Sequence, residues 1–166
     1  PVISGNFFIT SKSWGDTYLL LHQSILPDNS IKDFVGDHIY FSIVERNAQG
    51  NFYVSKKNQD ISTAYSMITT VSAVEHPDGE HWWIHYRAYQ GNRHHIVLIG
   101  KNGIVFRDSQ DVGAIIQSTN DPACLQPRFS PDGKKYVFAT KASGIEIYDF
   151  DRKIGNLSAP KIIRTY

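Results

Sequence analysis

The chain has 166 residues, 41% of them hydrophobic and 20% charged, enough for a folded domain with its own core. A formal charge of +1 leaves no electrostatic footprint for nucleic acid or an anionic membrane surface, and there is no run of like charges to form a solvated tail. A single cysteine, Cys124, excludes an intrachain disulfide and a cysteine metal site, and no apolar run approaches the roughly 20 residues of a membrane-crossing helix.

Nine Tyr, nine Phe and three Trp favour strands, where flat rings pack on a pleated surface. The opening PVISGN has neither an initiator Met nor a leader pattern and reads as the interior of a longer precursor. The first third then offers short aromatic and β-branched runs at 6–10 (NFFIT), 17–22 (TYLLLH), 38–45 (HIYFSIVE) and 51–56 (NFYVSK). Trp14-Gly15-Asp16 and NAQG at 47–50 break them as turns, and a longer connection over 26–36 leaves room for a helical turn at 29–34. A second group follows at 71–75, 82–89, 95–100 and 104–108, joined by Gln90-Gly91-Asn92 and Lys101-Asn102-Gly103. Asn-Gly between two such runs is a strong hairpin signal. The third group is 125–130, 135–140, 145–150 and 161–164, with turns at 142–144 and across 151–160. Polar linkers at 58–66 and 111–122 divide the chain into units 1–66, 67–120 and 121–166. Cys124, beside apolar neighbours, is expected to be a small buried hydrophobe.

The second and third groups share an entry. HPDGEHWWIHYR at 76–87 is echoed by SPDGKKYVFAT at 130–140, each a Pro-Asp-Gly turn leading into an aromatic strand. Proline presets φ there, aspartate bonds the backbone ahead of it, and glycine accepts positive φ. Pro77 and Pro131 lie 54 positions apart, a length that suits one four-stranded sheet with its connections. Runs such as YLLL at 18–21, IYFSIV at 39–44 and IVLI at 96–99 are apolar on both faces, whereas a sheet with one wet face alternates. The expected fold is therefore all-β: a β-propeller segment of about three four-stranded antiparallel blades, part of a larger propeller. A single immunoglobulin-like sandwich explains neither the echo nor the continuous apolar strands. Propellers close with about four to eight blades, so remaining blades or domains of the same precursor are the expected partners over the end sheets.

Histidines concentrate in the second group, at His76, His81, His85, His94 and His95. On a strand, His81, Trp83, His85 and Arg87 share one face and Trp82, Ile84 and Tyr86 the other. Trp83, His85, Arg87 and Tyr89 are thus the candidate ligand-binding residues. His81, His85 and His95 are candidate metal ligands reaching across a hairpin, although their spacing matches no known ligand set and no carboxylate stands ready. The two tryptophans are expected to pack between blades, with at most one facing a sugar or peptide. Asp78 and Asp132 are turn formers, and the 108–111 and 149–151 carboxylates lack a calcium-loop pattern. No nucleophile elbow, zinc-helix motif or phosphate loop occurs, so no catalytic residue is nominated and no cofactor is expected.

HPDGEHWWIHYRAYQGNRHHIVLIGKNGI, residues 76–104, resembles the repeat of large Bacteroidetes surface proteins, in which His-x-x-Gly-x-x-Trp-Trp leads to a polar hairpin and a Gly-Ile or Gly-Val turn. FSPDGKK at 129–135 and YDFD at 148–151 followed by Gly155, Ser158 and Pro160 match the next blade and its exit, so the likeness spans about 71–163. The resemblance implies a WD40-like (PD40-type) propeller, exported through the type IX secretion system and associated with gliding motility. It implies an extracellular, outer-membrane-associated location without membrane insertion, partners among secretion or cell-surface proteins, and a non-catalytic recognition, adhesion or structural role. The competing expectations are a propeller hydrolase or lyase with a His-lined axial site, and a sensor or gating domain.

Overall fold

A computed structural model describes residues 6–28, 33–63, 71–88, 90–116, 124–140 and 144–164. The described residues form three four-stranded antiparallel sheets and no α-helix. The first sheet holds β1 (Phe7–Ile9), β2 (Thr17–Asp28), β3 (Asp33–Arg46) and β4 (Phe52–Asp60), with a short 3-10 turn at Lys12–Trp14. The second holds β5 (Ser72–Glu75), β6 (His81–Arg87), β7 (Gly91–Gly100) and β8 (Gly103–Ile116). The third holds β9 (Cys124–Phe129), β10 (Lys135–Thr140), β11 (Gly144–Asp151) and β12 (Asn156–Ile163). In each, strands neighbour one another in chain order. First strand lies beside first strand (β5 and β9) and last beside last (β8 and β12), so the second and third sheets stack as propeller blades do.

The sequence echo is a structural one. Both Pro-Asp-Gly turns close with the same two backbone bonds: Gly79 N–H to the His76 carbonyl and Gly133 N–H to that of Ser130, then His76 with His81 and Ser130 with Lys135. Gly79 and Gly133 adopt positive φ (71° and 68°), as the turn demands. Beyond the turns, Trp82 pairs with Glu75 and Tyr136 with Phe129, the same register one repeat later. Trp82 packs toward the first sheet and Tyr136 toward the second, so equivalent residues look back at the preceding sheet.

Two apolar cores result. One lies between the first and second sheets (Leu19, Leu21, Ile39, Phe41 against Ile84, Tyr86, Val97, Ile99), the other between the second and third (Trp83, Ile96 against Tyr136, Phe138, Tyr148, Phe150). The middle sheet buries both faces, which accounts for its continuous apolar runs. β11 alternates between buried and half-buried residues because only one of its faces is covered. Indole N–H groups bridge the sheets: Trp14 to the Glu80 carbonyl (2.8 Å), Trp82 to Thr10 (3.0 Å) and Trp83 to Arg152 (2.7 Å). Ser11 Oγ also donates to the Gly79 carbonyl, so the first sheet grips the turn of the second.

Several strands run past their expected ends. The expected connection over 26–36 is mostly ladder, with Asp28 opposite Asp33; residues 29–32 of the expected helical turn lie outside the described set. β4 continues through the polar SKKNQD, a fully exposed outer strand that needs only backbone partners. β8 likewise extends through Ile116 into the expected linker. β12 starts at Asn156 and tolerates Pro160 because it is an edge strand with a bulge, where Ala159 takes φ 48°. Cys124 begins β9; its side chain lies outside the described set.

Candidate functional site

Strand alternation gathers one set of chemistry-bearing residues at the boundary between the second and third sheets. On β6, Trp83, His85 and Arg87 face the third sheet while Ile84 and Tyr86 face the first; on β7, His94 joins the former side. On β11 the phase of Ile-Glu-Ile-Tyr-Asp-Phe turns Glu146, Tyr148 and Phe150 inward to meet them. His85, Arg87, His94 and Glu146 are all at 0% exposure, and Tyr136 and Tyr148 are equally covered.

The hydrogen bonds dictate where the protons sit. Arg87 donates to the Gly91 carbonyl (3.1 Å) and to that of Ala114, and its guanidinium lies 4.8 Å from the Phe138 ring centre. Arg87 Nη1 also meets His94 Nε2 at 3.3 Å; a guanidinium only donates, so His94 Nε2 accepts. His94 Nδ1 must then carry its hydrogen and donate to His85 Nε2 (3.2 Å), which leaves His85 protonated at Nδ1. Glu146 balances the cluster: it lies 3.7 Å from Arg87, accepts from the Ala114 N–H (3.0 Å) and accepts from the Tyr148 hydroxyl. Burial, then the Arg87 charge, pulls His85 down to about 3. His94 is held well below the ordinary imidazole range by burial first, with His85 and Arg87 adding to it. Burial and the adjoining carboxylate raise Tyr148. The cluster is a neutral-imidazole relay locked by one ion pair, and no ligand reaches it from solvent.

Of the sequence candidates, Trp83, His85 and Arg87 fall at this boundary, on a buried face; Tyr89 lies outside the described residues. The three candidate metal ligands are not brought together. His81 Nδ1 bonds Asp78 at the Pro-Asp-Gly turn (2.8 Å), His85 faces the third sheet, and His95 sits on the opposite face, stacked on Tyr86 and bonded to Thr63 (3.0 Å). The reason is register: His85 pairs with Ile96, so His95 lies one residue out of phase with it. No group of three metal-ligating side chains occurs among the described residues. Glu146, Tyr148 and Arg152 were missed by sequence reasoning. A lone acid in phase with Tyr148 and Phe150 was the available sign of the first; Arg152 sits in a turn, yet its guanidinium holds the Glu75 carbonyl at 2.6 and 2.9 Å.

The first strands β1, β5 and β9 border a groove of about 680 Å³ that includes Trp82, Glu75, Arg128 and Arg152. No described residue lining it is a histidine; His81, His85, His94 and His95 lie on the second and third strands of their sheet, and His76 lies in the Pro-Asp-Gly turn.

Gly113 closes the buried cluster from β8. Its φ is +84°, and a Cβ there would run into the Tyr148 hydroxyl and the Glu146 carboxylate. Gly113→Ala is expected to cost about 2–4 kcal/mol, from strain and displacement of the Glu146 acceptor, read as a lowered urea midpoint.

No family model matches this chain, and no curated relative matches it. Among solved structures, it resembles a Bacteroides fragilis protein assigned as a 6-phosphogluconolactonase, at 13% identity, over 94% of this chain and 70% of the other, with a TM-score of 0.31. A superposition that loose leaves the fold to stand on the sheets, register and repeat described above.

Proposed function

We propose that this chain is a non-catalytic, WD40-like propeller segment of an exported bacterial cell-surface protein, acting as a recognition or structural module. The observation that carries the reading is the sealing of the cluster between the second and third sheets: His85, Arg87, His94, Glu146 and Tyr148 meet each other and not solvent. Groups so placed fix one sheet upon the next and offer nothing to a substrate. The outer faces of the end sheets supply the contacts. Phe8 is 62% exposed beside half-buried Tyr18, Leu20 and Val44 on the first, and Val137 and Ile163 are exposed beside Ile145 and Ile147 on the third. Val137 stands where Trp83 stands one repeat earlier, at the position that faces the next sheet. In this reading the faces are covered by remaining sheets of the same precursor, and the type IX export and surface setting follow from the resemblance of the 71–163 repeats.

The test is hydroxyl-radical footprinting of Phe8 and Val137 in the intact source protein and in the isolated chain. Protection in the intact protein supports the module; equal labelling removes it. Turnover of a lactone or ester that disappears in a folded His85→Gln variant would overturn the non-catalytic half.

A further inference from the structure

The face of the second sheet that meets the first changes character along its length. Near the Pro-Asp-Gly turn it is apolar, with Ile84, Val97 and Ile99 in the core. Beyond Tyr86 the same face carries Arg93 paired with Asp111 and His95 paired with Ser109 on the β7–β8 ladder, and Arg107 follows on β8 opposite Val97. With Thr63 as its opposite wall, this end of the boundary opens into a cleft of about 720 Å³, within the size range of small-molecule sites.

Its charges cancel. Arg93 makes a two-point pair with Asp111 (Nε to Oδ1 at 2.8 Å, Nη2 to Oδ2 at 2.9 Å), and the remaining lining charges are Arg107 and Asp108. Arg107 is anchored to the Asp60 carbonyl (3.1 Å), and Asp108 accepts from the Ser109 N–H (2.7 Å). A charged ligand would have to compete with the Arg93–Asp111 pair, whereas a neutral one uses the donors and acceptors that the pair leaves over.

Just behind the wall lies a ring nitrogen without a partner. Tyr86 Oη accepts from the Thr63 N–H (3.1 Å) and shares a hydroxyl–hydroxyl hydrogen bond with Thr63 Oγ1 (3.0 Å). Thr63 Oγ1 is hydrogen-bonded to His95 Nδ1 as well (3.0 Å). His95 is 8% exposed and its Nε2 has no hydrogen-bond partner, a condition that buried polar atoms rarely keep.

We propose that this cleft binds a neutral polyhydroxylated ligand, a short carbohydrate, whose hydroxyls bridge the Arg93–Asp111 pair on the wall in front of His95. Hydroxyls suit the site because each both donates and accepts, matching alternating guanidinium, carboxylate and amide groups (Gln90, Asn92) without adding charge. The cleft shares no residue with the sealed cluster, so this inference and the non-catalytic reading fail separately.

The experiment is an amide chemical-shift titration of the intact chain with neutral disaccharides (cellobiose, maltose, lactose, chitobiose) and with glucose 6-phosphate. Saturating shifts at Gly91, Asn92 and Ser109 are expected for at least one neutral sugar, with Kd of about 1 mM or tighter. Asp111→Ala, at an exposed position, is expected to weaken binding about tenfold, while Lys135→Ala on the third sheet leaves it unchanged. The proposal is overturned by the absence of saturating shifts with every neutral sugar, by shifts confined to other surfaces, or by tighter binding of the sugar phosphate. Wild-type binding by a folded Asp111→Ala overturns it as well.

Discussion

Arg87→Ala is expected to destabilise the protein by about 3–5 kcal/mol, measured as the loss of unfolding free energy in urea. The side chain has 0% exposure and holds four different things: the Glu146 carboxylate, the His94 lone pair, and the Gly91 and Ala114 carbonyls. Truncation leaves a carboxylate buried with no counter-charge and opens a void over the Phe138 ring. Against a domain stability of about 5–15 kcal/mol, that is enough to populate unfolded chains at room temperature. The buried ion pair is not thereby a net source of stability, since desolvating two charges offsets much of their attraction. The double variant Arg87→Met with Glu146→Leu should therefore recover most of the loss. Arg93→Ala, at the exposed pair with Asp111, should shift the midpoint little. If Arg87→Ala proves as mild as Arg93→Ala, the sealed cluster does not lock the sheets together.

The repeat was the most legible feature because turn chemistry and strand entry fall on consecutive residues. Pro77-Asp78-Gly79 and Pro131-Asp132-Gly133 set the phase of β6 and β10, and that phase alone separates Trp82 from Trp83 and His85 from Tyr86. Strand ends were less legible wherever pairing, not burial, holds the strand: β4 beyond Lys56 and β8 beyond Asp108 carry polar residues on a ladder the sequence pattern does not announce. The histidines show the same limit. Five of them within twenty residues look like a site, but cross-strand register decides which ones meet. Register pairs Arg87 with His94 and Tyr86 with His95, sending adjacent histidines into different boundaries. Glu146 was hidden for a related reason: a single acid in an apolar strand acquires meaning only when Arg87, 59 residues earlier, is known to face it.

Acid should loosen the boundary between the second and third sheets well before carboxylates titrate. An unfolded histidine has a pKa near 6.5; folded, His85 is drawn down to about 3 and His94 well below its usual range. Burial is the first cause for both, and Arg87 opposes a second cation beside either ring. His95 also bears on both from the opposite face, Glu146 and Tyr148 complete the cluster, and a backbone hydrogen bond with Val112 pulls His94 the other way. The geometry agrees: while His94 Nε2 accepts from Arg87 and His85 Nε2 accepts from His94, a second proton on either ring displaces one of these bonds. The unfolded chain therefore binds protons that the folded chain refuses. These two groups contribute full stability above pH 6.5 and lose it as pH falls below, at about 1.4 kcal/mol per unit each. By about pH 4.5 His85 alone has removed roughly 2.7 kcal/mol, a sizeable share of a domain's stability, and His94 adds in the same direction. His95, also depressed, adds in the same direction. Asp60, Asp78, Asp111 and Asp132 are lowered from 3.8, so their contribution fades only at more acid pH and does not blur this window. Urea midpoints taken from pH 7.5 to 4.5 should fall steadily below pH 6.5, and His85→Gln, which keeps an acceptor for His94, should remove about 1.4 kcal/mol per unit from that slope. A midpoint that stays level to pH 4.5 would mean that the imidazoles take up protons without parting the sheets, and that the relay does not hold them.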